Sequence, residues 1–171
     1  MASTAPVLTR RRPLPVRLQP WLVSAAAGLT GLVLLAFARQ LARGAIAWPT
    51  EQGQWLAIHL ATVVPALPLG AWVLFGRKGT VRHRLLGRVW AVLMMVGAAS
   101  SFGLTGLLGH LGPIHLLSAL VLFAIPYGMR SAVKGDIAQH QRTMTRVFIG
   151  LISAGLFAFV PGRLASVWLF G

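Results

Sequence analysis

Apolar runs of about 18 residues or more recur along this chain, with most of its charge in the basic tail, in the short connections and near the ends of the runs. Crossing a hydrocarbon core about 30 Å thick takes about 20 helical residues. Backbone in lipid has no water to bond, and a helix satisfies its own donors and acceptors. Only 11% of the 171 residues are charged and the mean hydropathy is +0.74. A soluble domain of this size needs far more charge to cover its surface.

Five such segments are expected as transmembrane helices, at about Trp21–Ala42, Trp55–Phe75, Leu85–Leu108, Pro113–Val133 and Met144–Phe170. The expected fold is therefore all-α, an integral membrane bundle spanning residues 20–171. Residues 1–19, with Arg10, Arg11, Arg12 and Arg17 among prolines, read as a basic cytoplasmic tail too short to bury a core. The first segment is longer than a signal peptide's apolar region, so it is read as an uncleaved span despite the small-residue sequence Ala45-Ile46-Ala47.

Orientation follows from the connections. Arg77, Lys78, Arg82, Arg84 and Arg88 cluster in one, and Arg130, Lys134, Arg142 and Arg146 in another, while 44–54 and 109–112 hold no basic residue. Basic residues favour the cytoplasmic side. The tail and both basic connections share that side only with five crossings and a cytoplasmic N-terminus. The arginine-rich, cysteine-free composition points to a bacterial cytoplasmic (inner) membrane.

The net charge of +14 would indicate nucleic acid in a soluble protein. Here the cations sit at helix ends with no nucleic-acid module, so the expected partners are membrane lipids. Without cysteine there is no disulfide, thiolate metal site or c-type haem attachment. No HExxH and no serine–histidine–acid set occurs. Glu51 and Asp136, the two acids, fall in connections on opposite sides, so no paired carboxylate is expected.

Histidine is the remaining chemistry. On this topology His59 and His115 fall near the outer surface, on the second and fourth helices. His83 and His140 fall near the inner surface, on the third and fifth. His110, on a short connection, is less constrained. Two imidazoles at one depth on facing helices are what a b-type haem iron requires. Arg84 and Arg88 are four residues apart, as are Arg142 and Arg146, so each couple shares a helix face. Guanidinium groups bind carboxylates such as haem propionates through charge-assisted, often bidentate hydrogen bonds; lipid phosphates compete for the same groups. The expected metal ligands are His59, His115, His83 and His140, with Arg84, Arg88, Arg142 and Arg146 as cofactor-binding residues and one or two haem b groups held. The electron donor and acceptor are not legible, and self-association is open. Two rivals use the same residues: a small-solute or proton transporter, and an accessory subunit without cofactor.

Several segments carry a family resemblance. They are His59 with the proline- and glycine-containing helix after it, the run from Gly79 to Val89, Gly112-Pro113-Ile114-His115, and the run from Lys134 to Met144. Over residues 55–163 they resemble an uncharacterised family of predicted bacterial multi-pass membrane proteins, which implies the fold but no activity. The helix-two/four and helix-three/five pairing is more remotely similar to two-haem transmembrane cytochromes b. That likeness implies one haem between His59 and His115 and another between His83 and His140.

Overall fold

The computed structural model describes residues 18–44, 51–104, 112–161 and 164–170. Among them there is no strand. The helices are α1 (Leu18–Ala42), α2 (Glu51–Phe75), α3 (Val81–Ser100), α4 (Pro113–Val133), α5 (Ile137–Phe157) and the short α6 (Leu164–Phe170). A 3-10 turn, Ser101–Gly103, closes α3. The tail expected at 1–19 lies almost wholly outside the described residues.

Local chemistry explains where the boundaries depart from the apolar pattern. The third helix starts at Val81 rather than Leu85. Gly79 takes the left-handed turn at φ +78°, and the Thr80 hydroxyl caps the helix by accepting from the His83 N–H at 3.1 Å. It also ends at Ser100, well short of Leu108. The fifth segment is corrected more heavily. Its helix starts at Ile137, because Gly135 (φ +81°) turns the chain and the Asp136 carboxylate accepts from the Gln139 N–H at 3.0 Å. It stops at Phe157, ahead of Pro161, which cannot donate to a helix and disfavours helical backbone before it. Leu164–Phe170 form α6.

Among the described residues, four helical stretches are long and apolar enough to cross a bilayer: Pro20–Ala42, Gly53–Phe75, Val81–Gly103 and Ile114–Val133. α5 is as long as α4 but carries His140, Gln141, Arg142, Thr143, Thr145 and Arg146 in its first half. Leu35, Val92, Leu116 and Phe123 are all more than half exposed. In water such a surface would aggregate; against lipid it is the expected outer face.

Packing is sequential, α2 on α3, α3 on α4 and α4 on α5, with α1 against α2, α5 and α6. α5 also reaches across to α2. Among the helix pairs that stay apart are α3 with α5 and α2 with α4, whose Cα atoms never come within 8 Å of each other. These are the two pairs that carry the same-depth histidines.

Trp90 of α3 and Phe148 of α5 sit at the centre, both essentially inaccessible. Gly70 of α2 makes room for them, since a Cβ there would lie 2.5 Å from the Trp90 ring nitrogen and 2.8 Å from the Phe148 ring. Phe75 meets Phe148 edge to face, at 6.3 Å and 76°. The buried indole N–H needs an acceptor and finds the Ala66 carbonyl of α2 at 3.0 Å. Trp90→Phe keeps most of the packing and strands that polar contact. It should cost about 1–3 kcal/mol, read as a lower midpoint of thermal unfolding in detergent.

Candidate functional site

The two turns at 76–80 and 134–136 lie at one end of the bundle, the basic end. Both follow one local grammar: a positive-φ glycine, a capping side chain, then a histidine in the first turn of the helix. Gly79 and Thr80 precede His83, and Gly135 and Asp136 precede His140. His140 Nδ1–H donates to the Gly128 carbonyl of α4 at 2.9 Å, which leaves Nε2 with its lone pair. The His83 ring lies near the Val73 carbonyl of α2 and within electrostatic reach of His140. A backbone carbonyl holding one imidazole nitrogen while the other is presented is the arrangement that orients metal-binding histidines.

Between α3 and α5, where the backbones stand apart, lies a cavity of about 1190 Å³. His83, His140, Arg84, Arg88, Arg142 and Arg146 all line it, so the structure gathers six of the eight sequence-predicted site residues here. Its apolar wall includes Val73, Phe75, Trp90, Met129 and Ile149. Lys78, Gln141 and Thr145 also line it and were not singled out by spacing. No acid does. Among the described residues, none of these five cations has an ion-pair partner, and the chain holds only two carboxylates in all.

The opposite end is built differently. There the last turn of α3 and the 3-10 turn after it lie between α2 and α4. His59 Nδ1–H donates to the Gly97 carbonyl at 2.9 Å, with the Ser100 hydroxyl oxygen at 3.2 Å. His115, only 6% exposed, uses both nitrogens. Nδ1 accepts from the Gly112 N–H at 2.9 Å, while Nε2–H donates to the Ser101 and Leu104 carbonyls at 3.0 and 3.2 Å. The Ser101 and Ser118 hydroxyls join at 2.7 Å. Gly103 lies against the Trp55 ring so closely that a Cβ would overlap it. His59 and His115 therefore grip one stretch of chain from two sides, and His115 as bonded here has no ring lone pair left for a metal. His110 lies outside the described residues.

α2 runs unbroken through Pro65 and Pro68, and Thr62 turns its hydroxyl to the Ile58 and His59 carbonyls, both at 2.9 Å. Among the described residues, every fully buried side-chain nitrogen and oxygen has a hydrogen-bond partner. No group of three or more His, Cys, Asp or Glu side chains among them is arranged to hold a metal ion. A site made by protein ligands alone therefore has no support, whereas axial ligation of a metal already held by a macrocycle asks for only two imidazoles.

The family model for a predicted membrane protein family, DUF2306, matches residues 56–167, well over half the chain. The chain belongs to this family. The match takes in His59, His83, His115 and His140 together with the four cavity arginines, and excludes α1 and the basic tail. No curated protein and no solved structure matches. Membership and the apolar helices together make this a multi-pass membrane protein.

Proposed function

We propose that this protein carries one b-type haem at its basic end, between α3 and α5, and passes electrons within the membrane. One observation supports this above the others: His83 and His140 line a single cavity between two helices whose backbones stand apart, and the His140 ring is tied back to the Gly128 carbonyl. The residues fit the group in three respects. Two imidazoles are at hand for the axial positions. Apolar side chains from α2, α3, α4 and α5 supply a low-dielectric wall for the macrocycle. Arg88 and Arg146, one turn further along their helices than Arg84 and Arg142, provide forked donors for the two propionates.

When bound, haem would supply reversible one-electron chemistry. The chain's own work is to hold the His140 imidazole by one nitrogen, to neutralise the propionates and to keep bulk water from the apolar wall. A second haem between His59 and His115 is not part of the proposal, because His115 has both nitrogens committed to the backbone. The basic residues at 77–88 and 130–146 favour a cytoplasmic position for this end. On that orientation the electron partner meets the protein from the cytoplasm, across a bacterial inner membrane.

The test is the absorption spectrum of the full chain, expressed with haem precursor and purified in detergent. The expected result is a Soret band, a sharpened α band on reduction, and iron close to one atom per chain. Protein lacking both Soret band and iron would defeat the proposal.

A further inference from the structure

Five permanent cations around one cavity exceed what a haem can balance. Two propionates offset two charges, which leaves three of Lys78, Arg84, Arg88, Arg142 and Arg146 without a counter-charge. All five side chains are exposed, so they present their charge to any anion at the protein surface. The amide ends of α3 and α5 add positive partial charge at the same place.

The surroundings say what kind of anion relieves this. Of the apolar residues lining the cavity, Val133 is 88% exposed, Ile137 51% and Ile149 44%. Leu85 and Val89, beside Arg84 and Arg88 on α3, are exposed as well. The mouth is therefore bordered by surface that faces acyl chains and is not open to water alone. Arg88 and Arg146 lie one helical turn, about 6 Å, further along their helices than Arg84 and Arg142. An anion that reaches this site from the side must carry its own apolar portion.

We propose that the mouth of the cavity binds the phosphate of an anionic phospholipid. Lys78, Arg84 and Arg142 hold the headgroup oxygens while the acyl chains lie along Val133, Ile137 and Ile149. The shared chemistry is a phosphate anion in a cluster of guanidinium and ammonium groups; a free phosphate would use the same donors without the apolar border. The site goes beyond the haem proposal, since the cations need counter-charge whether or not a macrocycle is bound.

Native mass spectrometry of the detergent-solubilised full chain, titrated with phosphatidylglycerol or with phosphatidylcholine of the same acyl chains, reads this directly. The expected result is retention of phosphatidylglycerol at about tenfold or more over phosphatidylcholine. The preference should persist with millimolar inorganic phosphate present. It should fall to the phosphatidylcholine level in the Lys78→Gln/Arg142→Gln double variant and be kept in Arg142→Lys, which preserves the charge. It should also persist in His83→Ala, so haem failure and lipid failure are read separately. Equal retention of the two lipids would overturn the proposal, as would displacement by inorganic phosphate or a preference that survives the double glutamine variant.

Discussion

Replacing His83 or His140 with alanine is expected to remove the Soret band and the iron from the purified protein, whereas His115→Ala keeps both. The contrast follows from how each ring is bonded. His140 spends one nitrogen on the Gly128 carbonyl and keeps the other for the cavity, and His83 lines the same cavity. His115 spends both on the backbone around the 3-10 turn. Losing it therefore strikes folding and not ligation. The Ser101 and Leu104 carbonyls and the Gly112 N–H lose a shared partner near the start of α4, at about 1–3 kcal/mol for each group left unpaired in a buried place. His115→Ala should melt well below the parent while binding haem in the fraction that stays folded. For the cavity variants, an unchanged elution volume and a melting point equal to that of the parent prepared without haem mark the loss as ligation. A reversed pattern, with absorbance surviving His140→Ala and vanishing in His115→Ala, would move the cofactor to the other end of the bundle.

The sequence marks one end as basic but does not tell which histidine pair has open space between its helices. Period and length predict α4 at its observed boundaries and α1 and α2 to within a few residues, because those runs are apolar from end to end. Pairing by depth follows from alternating crossings, and the i, i+4 arginine couples mark the faces that line the cavity. What alternation cannot tell is whether the space between two non-adjacent helices is taken by the chain itself. At the His59 and His115 end, Gly97, Ser100 and Ser101 take it, and they do so because α3 stops about eight residues before its apolar run does. No hydrophobic period signals that stop. The start of α5 was missed for a related reason: Asp136 and Gly135 set it, while the apolar pattern begins only at Met144. Lys78 escaped notice because it lies in a turn, outside any helix face.

The second large effect is expected at Gly128, a residue without side-chain chemistry. A Cβ at this position would run into Met144 and stand 3.0 Å from Cγ2 and 3.1 Å from Cβ of Thr143, both on α5. The methionine tip is flexible and moves aside at little cost. Thr143 is β-branched and held in a helix, with few rotamers to offer. Gly128→Ala should therefore be tolerated with a small loss, and Gly128→Val should push α4 away from α5, at about 1–3 kcal/mol or somewhat more for overpacking. The same residue offers its carbonyl to His140 Nδ1 at 2.9 Å, so separating the helices also releases the ring from its fixed orientation. The expected outcome of Gly128→Val is a lower melting point together with a weakened or shifted haem spectrum. Adding Met144→Ala makes room beside the new methyl groups and should restore part of both. A Gly128→Val protein that melts and absorbs like the parent would mean that α4 and α5 do not pack here as closely as their side chains require, and the fixed orientation of His140 would lose its basis.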